Sequence, residues 1–376
     1  KIFSSDIFEE NGWVGFYDDE PDETALQFND NKSALCNFIP NTYQLYWDIT
    51  PENFNKKMLE ESNRFWNKNR LDKVKNILEK SPSNSIILFE NTRFESGEEN
   101  NSKELAKNIS ENADYFINDA FSVSHRSHMS TTGLSNYLPS FSGRYLDKEI
   151  LMINKALNIG NGKRLGIIGG SKISTKLKVL ENLTEKLDVL FVGGGMANTF
   201  LLAKGYKIGK SLCEKSMLKT AINILDTAKN KNCELIFPED ALIANDMEKG
   251  TSFSEVMIDN VPNDALILDI GSKTIENINE FLSSVSTVVW CGPLGLFELN
   301  PFQTGTVSVA KEISKLTKDG KLISVAGGGD TVAALSQSNY NKDFTYISTA
   351  GGAFLELLAG ESLPGIEVLK IDSEEK

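Results

Sequence analysis

Two lysines, Lys172 and Lys176, stand four positions apart just after Gly169 and Gly170 in RLGIIGGSKISTK. Residues at that spacing share one face of a helix, so both ammonium groups can meet one anion. A carboxylate, Asp330, follows three glycines in KLISVAGGGDT and opens the next helical stretch together with Thr331. An aspartate there suits a Mg2+ that arrives on a nucleotide and keeps several waters; a plain N-cap is the other role open to it. Arginine is scarce, six in the chain, yet Arg93 falls in ENTRF and Arg126 between His125 and His128 in SHRSH. The paired donors of arginine match carboxylate and phosphate geometry. These residue types point to the holding and moving of phosphate. Taken singly, each is more often a solvated or salt-bridged surface residue.

Repetition argues for the chemical reading. A strand, a glycine-rich turn and a helix recur five times, around Gly169, Gly194 (LDVLFVGGGMANTF), Gly292 (TVVWCGPLGLFE), Gly329 (KLISVAGGGDT) and Gly351 (FTYISTAGGAF). Most of these strands are continuous apolar runs, as expected when helices cover both faces of a parallel sheet. In such a sheet the turns after the strands share one edge, where helices begin with free N–H groups and a positive dipole end. Glycine lets a phosphate come close to that backbone. A single turn of this kind is often only a tight connection; five on one edge predict a nucleotide site. None matches GxxxxGK[ST], and GGGMAN lacks the GxGxxG spacing, so the P-loop and dinucleotide readings are disfavoured.

Composition narrows the partners. A length of 376 residues predicts two domains, and a net charge of −13 argues against nucleic acid or an anionic membrane. The four cysteines form no CxxC, neither histidine has a metal-like Cys or His neighbour, and no apolar run reaches membrane-spanning length. With no signal peptide seen at the start, a reducing, cytoplasmic setting and a monomer are expected.

Three textures divide the chain. Residues 1–80 begin acidic, with eleven Asp or Glu against two Lys through Asn55, contain no arginine before Arg64, and are the least legible. From Ile86 the pattern becomes regular, and RYLDKEILMINKALN at 144–158 places Leu146, Ile150, Leu151, Ile153 and Leu157 at helical spacing. The expected division is an amino domain over 1–143, an interdomain helix over 144–158, a nucleotide-binding domain over 159–365 and a tail over 366–376.

The segments LFENTRFESGEE, YFINDAFSVSHRSH, GGSKISTK, VGGGMANTF, VVWCGPLGLFE, GGGDT and STAGGAFLELLAG resemble the phosphoglycerate kinase family in order and spacing, from about Ile86 onward. The resemblance implies an α/β chain of two doubly wound, Rossmann-like domains with mainly parallel sheets, joined by a long helix. It implies reversible phosphoryl transfer between 1,3-bisphosphoglycerate with ADP and 3-phosphoglycerate with ATP, with Mg2+ carried by the nucleotide and domain closure about the helix. By the same resemblance, Lys172, Gly329, Gly351 and Gly352 follow the transferring phosphoryl. Gly170, Ser171, Lys176, Gly194, Gly195, Gly292, Leu294, Phe297, Glu298, Asp330 and Thr331 hold the nucleotide, with Asp330 meeting its Mg2+. Arg93, His125 and Arg126 hold the acid substrate. The family's amino-terminal RVDFNVP-like, DDTRI-like and SHxGRP-like segments are not recognisable in residues 1–80. Cys291 stands where Asn is usual, and Thr175 where Asp often lies. A catalytically impaired relative that binds nucleotide or a partner protein is therefore the alternative reading.

Overall fold

Apolar alternation and glycine punctuation set the elements seen in a computed structural model of the chain, which describes residues 34–37, 80, 92–158, 162–248 and 250–370. Arg64, Arg70 and the rest of residues 1–80, other than 34–37 and 80, lie outside the described residues. The chain forms two compact units, one of Lys1–Asp147 with Ser362–Lys376, the other of Lys148–Glu361.

In the first unit, β1 (Ala34–Asn37), β2 (Tyr115–Asn118) and β3 (Ser140–Ser142) form a parallel sheet in that order. Helix α1 (Lys103–Ser110) starts at Ser102, whose hydroxyl oxygen accepts the Leu105 N–H at 3.3 Å, an N-cap. It buries Leu105 and Ala106 against Phe116, Met129 and Leu134. Helix α2 (Arg144–Asn158), which passes from this unit into the second at Asp147–Lys148, begins over Asp119, whose carboxylate accepts the Leu146 N–H at 2.9 Å. Its buried stripe runs through Leu146, Glu149, Ile153 and Leu157, whereas Leu151 is exposed. Leu151 lies about 140° round the helix from Leu146, off the stripe to which the sequence pattern assigned it. The segment after Ser362 belongs to this unit: Asn118 Nδ2 donates to the Gly365 carbonyl at 2.9 Å, and the Gly365 N–H to the Ser124 carbonyl at 2.8 Å.

The second unit carries β4 (Lys163–Ile168), β5 (Val189–Val192), β6 (Glu234–Ile236), β7 (Asp240–Ala244), β8 (Phe253–Met257), β9 (Leu266–Ile270), β10 (Val285–Cys291), β11 (Ile323–Gly327) and β12 (Tyr346–Ser348). Six of them make one fully parallel sheet in the order β12-β11-β10-β4-β5-β6. Helices α3 (Leu177–Lys186), α4 (Gly194–Ala203), α5 (Leu218–Asn230), α6 (Ser272–Leu282), α7 (Thr304–Lys318), α8 (Gly329–Ser338) and α9 (Gly351–Leu358) cover it. Helices α6 to α8 pack among themselves on one face, over a core that includes Leu165, Ile167, Val288, Trp290, Val309 and Ile313. Helices α3, α4, α5 and α9 pack together as the other layer. Two helix layers on a parallel sheet make the unit doubly wound, as the buried strand runs predict. The chain between β6 and α6 departs from strict alternation: β8-β7-β9 form a small antiparallel sheet. Strand β7 is wholly buried while β8 is largely exposed, so neither shows the alternating pattern that marks a half-buried strand.

Candidate functional site

Strand order locates the site. From β4 the chain steps outward to β5 and β6, and from β10 it steps the other way to β11 and β12. The order therefore reverses between β4 and β10, and open parallel sheets leave a crevice beyond the carboxyl ends of the strands at such a point. The loops that meet there are Gly169–Lys176 and Gly292–Glu298, the two most motif-like turns of the sequence. They are laced together, the Gly169 N–H donating to the Cys291 carbonyl at 2.9 Å and the Gly170 N–H to the Pro293 carbonyl at 3.1 Å. Gly170 (φ 109°) and Gly292 (φ 100°) take backbone angles that favour glycine. A Cβ on Gly292 would sit 2.2 Å from the Gly169 carbonyl oxygen, so the close approach itself needs glycine.

Lys176 is half-buried at the start of α3, and its Nζ donates to the Gly169 carbonyl at 2.7 Å and the Cys291 carbonyl at 3.2 Å. Two of its three donors thus pin the ends of β4 and β10, and its charge also bears on the Cys291 thiol. Lys172 is exposed, on a turn ahead of α3 rather than on the helix, with the Thr175 hydroxyl donating to its carbonyl at 2.9 Å. Ser171 beside it is also exposed. The thiol of Cys291 is buried and pushed up in pKa by that burial.

Three helices begin on the same sheet edge. At α4, Gly194 (φ 63°) packs on Gly170, its N–H donates to the Leu294 carbonyl at 3.0 Å, and Gly195 faces Ser171 and Leu212. Leu294 and Phe297 are buried beside this start, and Glu298 is exposed. At α8, Asp330 is exposed in the first turn, whereas Thr331 is buried with its hydroxyl oxygen accepting the Gly292 N–H at 2.6 Å. At α9 come Gly351 and Gly352. A Cβ added at Gly329 or Gly351 would meet nothing within 4 Å, so open space lies against both helix starts. Among the described residues no group of three or more His, Cys, Asp or Glu could cage a metal. A single free carboxylate, Asp330, fits a hydrated Mg2+ brought in on phosphate.

In the first unit Arg93 lies on a short 3-10 turn, Thr92–Phe94, with its Nε 3.7 Å from Glu99. Arg126 Nε donates to His125 Nε2 at 3.4 Å. The loop carrying them is tied down by buried Glu98, which accepts the Ser130 N–H at 3.1 Å and its hydroxyl at 2.5 Å. Glu98, within ESGEE, has no sequence signal that marks it as an anchor. Neither has Glu214, whose carboxylate takes the equivalent grip on Ser174.

Fold and crevice are those of a doubly wound α/β protein with room for a phosphorylated ligand at the strand ends. The sequence model described as phosphoglycerate kinase matches residues 52–361. The phosphoglycerate kinase of Methylorubrum populi is 50% identical over 285 residues, 76% of this chain and 71% of its own length; that of Brucella melitensis is 48% identical over 316 residues, 84% and 79%. Among solved structures, phosphoglycerate kinase from Coxiella burnetii aligns with a TM-score of 0.73 and 41% identity over 77% of this chain and 73% of that one. The enzyme from Pyrococcus horikoshii gives 0.69 and 31% over 83% and 78%. The chain belongs to the phosphoglycerate kinase family. The match begins at residue 52, earlier than the motifs legible from Ile86, and takes in Arg64 and Arg70.

Proposed function

We propose that the chain catalyses reversible transfer of the acyl phosphate of 1,3-bisphosphoglycerate to ADP, giving 3-phosphoglycerate and ATP. The observation that carries this is the crevice between β4 and β10, where two laced glycine loops, Lys172, Lys176 and open helix starts converge. Family membership supplies the reactants.

A β-phosphate oxygen of ADP is already an anion, so no general base is required to create the nucleophile. It attacks phosphorus as the bond to the acyl oxygen breaks, and 3-phosphoglycerate leaves as a carboxylate. The demand on the protein is positioning and charge stabilisation. Lys176 holds nucleotide phosphate with its charge. Lys172, solvent-facing, follows the phosphoryl group, and the N–H groups at Gly329, Gly351 and Gly352 face its oxygens. Leu294, Phe297 and Gly194–Gly195 flank the base, and Glu298 the ribose. Mg2+ held by Asp330 would neutralise phosphate charge. Arg93, His125 and Arg126 bind the acid substrate. Closure about residues 144–158, a monomeric state and a cytoplasmic setting complete the proposal. Among the described residues no helix is long and apolar enough to cross a membrane. The relatives the chain matches lend the impaired alternative no support.

The test is a coupled assay with ATP and 3-phosphoglycerate on the purified chain, run beside thermal unfolding with Mg-ADP. Turnover and a raised Tm are expected, with Asp330→Ala losing most of the Tm shift. Binding without turnover would hand the chain to the impaired alternative, and an unmoved Tm would remove the nucleotide site.

A further inference from the structure

Lys172 has to deliver its charge to a moving group from an exposed turn. A long side chain on a loose loop loses entropy on being ordered, and small misplacement of a reacting group is costly. What fixes the turn is therefore part of the site. The loop is held from below by Ile173, fully buried, and by the lacing of Gly169 and Gly170. Its far side is held by one carboxylate, Glu214, 40 residues later in the chain. One oxygen of Glu214 accepts the Ser174 N–H at 3.0 Å and the other its hydroxyl at 2.5 Å.

Glu214 is itself anchored. Its N–H donates to Thr199 Oγ1 at 3.0 Å, and Asn198 Nδ2 donates to the Leu212 carbonyl at 3.1 Å. Both anchors sit on α4, the helix that starts at Gly194, where Gly195 lies between Ser171 and Leu212. Partial burial works against the ionised form. The Ser174 hydroxyl, the N–H groups of Ser174 and Ile173 and the nearby Lys172 charge outweigh it and hold the carboxyl below its usual range. Glu214 is thus ionised at neutral pH, as a clamp on N–H donors requires. With Thr175 in place of the Asp often found between the two lysines, it also supplies negative charge near Lys172.

We infer that Glu214 is a positioning residue: through Ser174 it fixes the turn that presents Lys172, and it ties that turn to the helix start at Gly194–Gly195. This rests on the reading of Lys172 as the group that follows the phosphoryl. The equivalent fork of Glu98 on Ser130 shows the same device on the loop of His125 and Arg126.

The test is a double-mutant cycle on the full chain, read by kcat, by KM for ADP and ATP, and by nucleotide titration. Glu214→Ala should lower kcat about tenfold while KM moves by less than about threefold, because the loss falls on the transition state. Ser174→Ala, which keeps the N–H contact, should show a smaller loss of the same kind. In a Lys172→Met background, measured by single turnover at high enzyme concentration, Glu214→Ala should change the rate by less than about twofold. Equal losses in both backgrounds would overturn the inference while leaving Lys172 its role. An unimpaired Lys172→Met chain would instead overturn the reading of Lys172 and the inference with it. Thermal unfolding of each variant checks the fold. Should Glu214→Ala fail to fold, Ser174→Ala carries the same cycle.

Discussion

Gly194 and Gly351 both open helices at the sheet edge, yet the reasons for glycine differ. At Gly194 the backbone has φ 63°, and a Cβ would stand 2.7 Å from backbone atoms of Gly170. Fold alone demands glycine there. At Gly351 φ is not positive and nothing lies within 4 Å of an added Cβ, so the protein's own packing does not require it. In the proposed reaction a phosphoryl group against the helix start would. Gly351→Ala is therefore expected to leave stability unchanged or raise it by about 0.4–1 kcal/mol while cutting kcat. Gly194→Ala should lower stability by about 1–3 kcal/mol. Urea unfolding and the coupled assay on the two variants separate the reasons, and an active Gly351→Ala chain would remove that helix start from the reaction. Thr331 shows a third case. Its buried hydroxyl oxygen is taken up by the Gly292 N–H, so it braces the loop after β10 and has only its proton to offer phosphate.

At the scale of elements, α2 carries an ionisable group in its buried stripe. Burial pushes the Glu149 carboxyl from 4.5 up to about 7, against the pull of the Ser348 and Tyr346 hydroxyls. Between those values the native form keeps a proton that the unfolded chain releases, so the contribution of Glu149 to stability falls as pH rises through this window and is lost above about pH 7. Asp119, pushed by burial to about 6 under the start of the same helix, acts in the same direction. Glu149→Gln keeps the shape and removes the charge. It is expected to flatten the pH dependence of urea unfolding and to gain up to about 3 kcal/mol at pH 8 with little change at pH 4. An unchanged slope between pH 5 and 8 would show that Glu149 does not bury its charge. The carboxylate also marks where sequence reading stops. Five glycine turns and the 144–158 helix are legible because each is a local pattern. The reversal of strand order between β4 and β10 is not, since periodicity gives a strand's burial but never its neighbours. The β8-β7-β9 sheet, the place of Lys172 ahead of α3 and the grip of Glu214 all depend on contacts between distant segments.

The whole molecule sets a net charge of −13 against substrates that are themselves anions. Affinity must come from local cations and helix starts working against the general field. The residues proposed to hold the substrates are divided between the two compact units: Arg93, His125 and Arg126 fall in the first, and Lys172 and Lys176, with Asp330 for the metal ion, in the second. Each unit has its own sheet and core, so each can be stabilised by its own ligand through mass action, by about 2.7 kcal/mol at a hundred times Kd. Hydrogen exchange reads this segment by segment. Mg-ADP alone should slow exchange in 169–176, 194–200 and 327–335 and leave 92–130 near its unliganded rate. With 3-phosphoglycerate alone, protection should appear in 92–98 and 121–130, and it should weaken with Arg93→Ala or Arg126→Ala while protection by Mg-ADP persists. Protection of the nucleotide loops by 3-phosphoglycerate alone, with the Arg93 and Arg126 segments untouched, would move the acid site out of the first unit.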